Sequence, residues 1–127
     1  MPLRPEQARA LLPRVDPGRL YKGWPVGLRD GAILALAAAG FKAVEMVALR
    51  GSGITMARGR VVVTVRRGAV TRSAVLPVSL GAWVLAWYNE RRLAGSAEPA
   101  FTGPEGPLTR RGIAAILDRY RHIRGSR

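Results

Sequence analysis

The chain has 127 residues, of which 48% are hydrophobic, and a formal net charge of +13 from 21 Lys and Arg against 8 Asp and Glu. This length and composition fit one folded domain with a modest core and exclude a disordered tail. The absence of cysteine excludes disulfides and thiolate metal sites, and the one histidine, His122, cannot form a His-rich metal site alone.

The positive charge is almost entirely arginine, since only Lys22 and Lys42 are lysine. Arginine suits bidentate contacts with phosphate. A codon bias toward GC would explain the choice of arginine but not the size of the excess. The charge therefore favours a polyanionic partner over charge that serves solubility alone.

The sequence gives no reason to expect a membrane partner. Residues 1–15 contain no apolar run of signal-peptide length, and the longest apolar run, residues 32–41, is far too short for a membrane span. We expect a cytoplasmic protein.

The first half of the chain predicts helices around one long apolar stretch. Residues 2–17 predict a short helix with extended flanks, which Pro13 ends. Residues 18–27 predict a loop, and its two aromatic side chains are expected to anchor it by packing: Tyr21 and Trp24. Residues 28–39 predict the buried central helix, because nearly all of its side chains are apolar and small.

A corner is expected where the central helix stops. Gly40 supplies the left-handed backbone that ends a helix. Residues 43–49 predict the next helix, with these side chains inward: Val44, Val47 and Ala48. The break places one cation, Lys42, at a fixed corner between two buried elements.

Residues 54–78 change to a period of two with many β-branched side chains, which predicts strands. We expect a hairpin that turns at Arg67 and Gly68, ended by Pro77. A short strand at residues 54–56 would precede it and complete a small antiparallel sheet.

The last third returns to helical spacing. Residues 79–94 predict a helix whose apolar stripe is typical of core rather than of base-stacking platforms: Leu80, Trp83, Val84 and Trp87. Residues 95–107 predict a loop held to the body by Phe101. Residues 108–123 predict a final helix with these side chains inward: Ile113, Ile116, Leu117 and Tyr120. Two residues are expected to cap these helices: Ser79 and Thr109.

The basic charge is unevenly distributed along the chain. No acidic residue lies between Glu45 and Glu90. The same interval contains these arginines: Arg50, Arg58, Arg60, Arg66, Arg67 and Arg72. Arginines at a hairpin tip can reach along a phosphate backbone. The alternative is a scattered, solvated basic face, but like charges without acidic neighbours repel one another unless a counter-charge binds.

Several segments in this order resemble a known family. They are the Pro-Glu helix entry within residues 3–12, LRDGA at 28–32, AAGFKAVEM at 38–46, the hairpin at 62–72 and VLPV at 75–78. Together they resemble the first half of the catalytic domain of the tyrosine recombinases, the phage-integrase and Xer-like family. The resemblance covers nearly the whole chain, from about residue 3 to residue 120.

The resemblance implies roles for the corner. In that family the corner reads Thr-Gly-Leu-Arg, then two residues, then Glu, and its arginine holds the scissile phosphate. Gly40, Phe41 and Glu45 match this corner, and Lys42 stands where the arginine should be. Arg67 falls near the position of a hairpin lysine that assists as a general acid.

The resemblance also implies that catalysis is lost. The family's His-x-x-Arg motif and tyrosine nucleophile come from the second half of its domain, which nothing in this sequence matches. Tyr88 lies on a predicted helix, and Tyr120 lacks the context of the nucleophile. Strand transfer needs that nucleophile and several cations around one phosphate, whereas binding needs only a basic face. We expect no catalytic residue, no metal and no cofactor.

We therefore expect a mixed α+β fold, a helical body with a small three-stranded antiparallel sheet, in which residues 1–127 form one truncated integrase-like domain. The expected function is binding of double-stranded DNA through phosphates, in association with the nucleoid. The expected contacts are Lys42, Arg50, Arg66, Arg67, Arg72, Arg110 and Arg111. Such a site requires the fold to bring Lys42 beside the hairpin arginines on one concave face.

Other functions remain open at this point. The first alternative is a protein-interaction module that pairs with itself or with a full-length recombinase and exposes apolar surface for it. The others are a recombinase or nuclease completed by a partner's tyrosine, an RNA-binding protein, and a remnant without a selected function.

Overall fold

Five α-helices and a three-stranded antiparallel sheet make up the protein, whose computed structural model describes residues 3–122. The helices are α1 (Pro5–Leu11), α2 (Val26–Ala38), α3 (Ala43–Ala48), α4 (Val78–Glu90) and α5 (Arg110–Arg121). The sheet contains β1 (Ile54–Ala57), β2 (Arg60–Arg67) and β3 (Val70–Val75), and a separate two-stranded ladder contains β4 (Thr102–Gly103) and β5 (Gly106–Pro107). The predicted mixed α+β class is confirmed.

Helix α2 is the centre of the molecule, as the sequence predicts. It begins at Val26, two residues before the predicted start, and 11 of its 13 residues are buried. A Cβ atom added at Gly31 would lie 2.1 Å from the Trp83 ring of α4. The missing side chain of this glycine therefore lets α4 pack directly on α2. Gly40, with φ of +94°, ends the helical segment as predicted.

The sheet turns its valines toward this body. In β2, the side chains of Val61, Val63 and Val65 are buried, and the residues between them are less so. Strand β3 pairs with β2 across a two-residue loop in which Gly68 has φ of +60°. Strand β1 pairs with the other edge of β2, one residue longer than predicted.

The aromatic predictions hold with one exception. Trp87 is fully buried, donates its Nε1–H to the Ala100 carbonyl at 2.8 Å and stacks on Phe101 with 6.3 Å between ring centroids. Trp24 donates to the Thr102 carbonyl at 3.1 Å, which anchors its loop. Tyr21 was expected to pack but is 53% exposed, because its loop turns back on Trp24 and leaves the Tyr21 ring in solvent.

Helix α3 corrects one predicted packing face. Its buried side chain is Met46, and the three predicted inward residues are only half-buried: Val44, Val47 and Ala48. A helix of six residues makes fewer than two turns, so a single position points straight into the core.

The ends of the last two helices correct other details. Helix α4 begins at Val78, and Ser79 does not cap it; the Pro77 carbonyl accepts from the backbone N–H groups of Leu80 and Gly81 instead. Thr109 does cap α5, accepting from the Gly112 N–H at 3.0 Å.

The segment between these two helices also differs from the prediction. The loop predicted at residues 95–107 contains the ladder of β4 and β5, which its glycine and proline content did not suggest. In α5, Ile113, Ile116 and Tyr120 are buried and Leu117 is half-buried. The last predicted residue of α5, Ile123, lies outside the described residues.

Candidate nucleic-acid interface

The corner after α2 is built around one carboxylate. Lys42 is the N-cap residue that precedes α3, and its backbone N–H donates to Glu45 Oε1 at 2.8 Å. This bond satisfies a helix N-terminal N–H that has no partner within the helix. Phe41 is buried beneath the corner, and the Lys42 side chain extends into solvent.

Arg72 of β3 joins the hairpin to this corner. Its Nη1–H donates to the same Glu45 oxygen at 2.6 Å and to the Gly40 carbonyl at 3.3 Å. Its guanidinium also lies over the Phe41 ring, 4.3 Å from the centroid. Because one oxygen accepts from both Lys42 and Arg72, the sheet and the corner are fixed against each other.

The electrostatics of Glu45 follow from these contacts. Burial raises its pKa, but the Lys42 N–H and the Arg72 guanidinium outweigh burial, and the pKa lies below its ordinary value. The positive charge of Arg67 also lowers this pKa. Glu45 is therefore a stable anion at neutral pH that organises the cations around it.

The strand register places the two arginines at the hairpin tip, Arg66 and Arg67, on opposite faces of the sheet. Arg72 pairs with Val65 and Val70 pairs with Arg67, so Arg67 and Arg72 share the face that packs on the body. Arg66 pairs with Thr71 on the opposite face. We call Lys42, Arg67 and Arg72 the corner cluster; Arg66 points away from it.

Lys42 also belongs to a groove of about 930 Å³ between α5, the corner and the start of α1. Arg110 and Arg111, at the first turn of α5, line this groove together with Lys42. Lys42 thus connects the corner cluster with the predicted contacts on α5. Arg50 is not part of this surface, because it lies beyond the far end of α3 and pairs with Pro99.

Most of these cations carry uncompensated charge. Within residues 3–122, an ion pair is formed by Arg72 with Glu45, at 2.6 Å, but by none of the other six predicted contacts. All six are exposed. The structure thus places Arg67 and Arg72 on one face of the hairpin, with Arg72 at the corner, and Lys42 with Arg110 and Arg111 along the groove. Arg50 and Arg66 lie outside both sets.

Asp30 and its partners form a buried polar cluster that the sequence pattern did not predict. Asp30 is fully buried in α2 and accepts from Arg29 Nε at 3.0 Å and from the Tyr120 hydroxyl at 3.1 Å. Arg119 adds an ion pair at 3.6 Å. The adjacent Arg29 and Asp30 within an apolar helix pattern could have indicated this cluster, because charges that are buried with a helix need partners.

This cluster fixes the state of Tyr120. Burial, the charge of Asp30 and the hydrogen bond to Asp30 raise the pKa of Tyr120 to about 12. Its hydroxyl is committed as a donor and stays protonated at neutral pH. Tyr120 is thus a packing residue that ties α5 to α2, and its environment opposes use as a nucleophile.

Metal sites, membrane spans and similarity to known proteins were also considered for this chain. Among residues 3–122, no three His, Cys, Asp or Glu side chains converge as a metal site. No helix in the same part of the chain is long and apolar enough to cross a membrane. No family model matches the chain, and neither the curated proteins nor the solved structures include a match to it.

Proposed function

We propose that the protein binds double-stranded DNA through its phosphates, as a catalytically inactive domain that resembles the first half of a tyrosine-recombinase catalytic domain. The observation that carries this proposal is the corner, where the Lys42 backbone N–H and the Arg72 guanidinium donate to one Glu45 oxygen and the Lys42 side chain is exposed. Arg67 faces the same side, and Arg110 and Arg111 continue the surface beyond Lys42.

Charge supports a polyanion as the ligand. The carboxylate of Glu45 balances the charge of Arg72. The other two members of the corner cluster, Lys42 and Arg67, are exposed to solvent and keep their positive charge. The surface next to them adds Arg110 and Arg111, and the whole chain carries +13. A DNA backbone supplies closely spaced negative charges that release counterions when such a surface binds.

The same residues favour binding over strand transfer. Lys42 offers a point charge where the tyrosine recombinases that the sequence resembles use the bidentate fork of arginine. Tyr120 is buried as a donor to Asp30, and Tyr88 lies half-buried within α4. We therefore propose a nucleoid-associated, cytoplasmic role in holding DNA, without cutting it.

A salt series tests this function. A fluorescently labelled random duplex is titrated with the full chain by anisotropy, between about 50 and 200 mM salt. We expect log K to fall linearly with log salt, with a slope of roughly −0.9 for each phosphate neutralised. The proposal would be contradicted if no duplex bound at the lowest salt concentration, or if the binding constant did not change with salt concentration.

Two competition assays separate the related possibilities. Unlabelled duplex RNA added to the DNA complex should compete less well than unlabelled duplex DNA; stronger competition by RNA would favour an RNA-binding function. A nicked duplex incubated with the chain and a full-length recombinase that keeps its tyrosine but lacks its own corner arginine should yield no covalent adduct. An adduct on the recombinase that forms only when this chain is present would instead indicate an enzyme completed in trans.

A second candidate function is pairing with another copy or with a full-length recombinase. The specific observation is β3, an edge strand: the Leu76 N–H donates to the Val61 carbonyl, so Thr71, Ser73 and Val75 turn their backbone groups away from β2. Three valines nearby are more than 60% exposed: Val70, Val75 and Val78. Exposed edges and apolar patches favour strand addition.

Sedimentation equilibrium tests this second function. A dimer that dissociates when Ser73→Pro removes an edge N–H would support pairing. A strict monomer at high concentration, alone and with a full-length recombinase, would exclude it. Ser73→Ala is the matched control, because it keeps the backbone donor and changes only the side chain.

A further inference from the structure

The groove beside Lys42 has features that phosphate binding does not use. Its floor is made of small and apolar side chains from α2, the corner and α5: Ala37, Phe41, Ala43, Val44, Ala114, Ala115 and Leu117. DNA phosphates gain nothing from alanine methyl groups and would lose hydration there. The floor therefore fits a ligand with apolar groups of its own.

The rim of the groove has the opposite character. Five cations line it against one carboxylate, Asp118: Arg4, Lys42, Arg110, Arg111 and Arg121. Asp118 is already engaged by Arg121 at 3.8 Å and by His122 at 3.5 Å. A ligand that matches both parts needs an apolar centre and acidic margins.

The dimensions of the groove indicate a helical segment. Its lining follows α5 from Arg110 to Arg121, which are 12 residues and roughly 18 Å at about 1.5 Å per residue. On α5, Arg110, Ala114, Leu117 and Arg121 recur at helical spacing, so the apolar strip runs along the helix with a cation at each end. An amphipathic helix that lies alongside α5 can place its own apolar positions on this strip.

We propose that the groove binds an acidic amphipathic helix of a partner protein. Leucine-like side chains at i, i+3, i+4 and i+7 cover the alanine floor, and Glu or Asp side chains on both flanks pair with the rim cations. This interaction does not depend on DNA binding. Since Lys42, Arg110 and Arg111 border both surfaces, an occupied groove competes with DNA for the same cations.

A labelled peptide of about fifteen residues provides the probe, with leucines on one face and glutamates on both flanks. Anisotropy with the full chain should give saturable binding. A peptide with the same composition in scrambled order, and one with lysine in place of every glutamate, should each bind at least about tenfold more weakly. Equal binding of the scrambled peptide would overturn the proposal.

Paired protein variants locate the peptide. Ala115→Glu places a charge on the apolar floor and should weaken peptide binding by roughly tenfold or more. Ala82→Glu, at an exposed alanine of α4 outside the groove, should leave it unchanged. Equal effects of the two variants, with both folded by circular dichroism, would overturn the site.

A spectroscopic readout does not depend on the charge change. The natural chain contains no cysteine, so Ala115→Cys and Ala82→Cys can each carry one environment-sensitive dye. The acidic peptide should shift the emission of the dye at position 115 to shorter wavelength and leave that at position 82 unchanged. Vesicles of anionic phospholipid should not reproduce the shift; a larger shift with vesicles than with peptide would overturn the choice of occupant.

Discussion

Asp30 has no solvent exposure and lies in α2, of whose 13 residues 11 are buried. Arg29, Tyr120 and Arg119 each supply a hydrogen bond or an opposite charge to it. A buried carboxylate is costly to leave without its donors, so each of these partners matters more than an equivalent surface contact. The cluster holds α5 on α2 and thereby positions the wall of the groove.

Removal of the Tyr120 hydroxyl tests this role. Tyr120→Phe should lower the free energy of unfolding by about 1.5–3 kcal/mol, measured in urea, because buried Asp30 loses a donor. Tyr21→Phe, at a ring that is 53% exposed, is the control and should change stability little. A Tyr120→Phe variant as stable as the wild type would contradict a structural role for the hydrogen bond.

The same hydroxyl predicts a pH dependence at alkaline pH. The folded-state pKa of about 12 lies above the ordinary value of 10.0, so the stabilisation is complete below pH 10 and is lost as the pH rises toward 12. Phenolate absorbance should show one of the three tyrosines titrating late. That late step should be absent in Tyr120→Phe; its persistence would assign it to another tyrosine.

Glu45 predicts a pH dependence of opposite sign. Its folded-state pKa lies below the ordinary value of 4.5, so its stabilisation is present above that pH and is lost as the pH falls through the folded-state pKa. Glu45→Gln should cost about 1 kcal/mol at pH 7, a value reduced by the partial exposure of Arg72. The difference from wild type should shrink below pH 4.5. Glu90→Gln, at an exposed side chain of α4, is the control and should change stability little at pH 7.

At the scale of elements, the contact of α2 with α4 depends on Gly31. Gly31→Ala should destabilise the protein by roughly 1–3 kcal/mol, because the new methyl group meets the Trp83 ring at 2.1 Å. This outcome reverses the usual gain of about 1 kcal/mol for alanine in a helix. Thermal unfolding of Gly31→Ala and of the wild type provides the measurement.

Gly112→Ala is the matched control within α5. Its added methyl group has its nearest neighbour at 3.4 Å, an ordinary contact, so this variant should be neutral or more stable. If both substitutions had the same effect, close packing at Gly31 would not be the reason for the glycine.

Local patterns were sufficient to predict most of these elements. Gly40, Thr109 and the period-two valines of β2 act through neighbours in sequence, and the structure has each of them in its predicted role. Tyr120 and Asp30 are 90 residues apart, and a local pattern assigns charged residues to the surface. Their pairing could therefore not be predicted from periodicity.

The corner shows the same division. Lys42 was expected at a fixed turn because glycine and the flanking apolar runs define that turn locally. That Arg72 binds Glu45 depends on how β3 packs on α3, across 27 residues of sequence. Register then separates Arg67 from its neighbour Arg66, which charge counting alone treats as equivalent.

At the scale of the whole molecule, the charge of +13 alone would let any basic surface bind DNA weakly. We propose more narrowly that the surface that binds DNA contains the corner cluster. Charge removed there should matter more than the same charge removed elsewhere. Arg9 and Arg14 offer the comparison, since both are exposed and neither lines the groove.

The most direct test compares two double variants with equal net charge, Lys42→Ala with Arg67→Ala and Arg9→Ala with Arg14→Ala. Duplex DNA affinity is measured by anisotropy across the salt series. The corner variant should bind at least about tenfold more weakly, and the steepness of its salt dependence should fall by about two, whereas the other variant stays close to wild type. Equal losses in the two variants would contradict a DNA site at the corner.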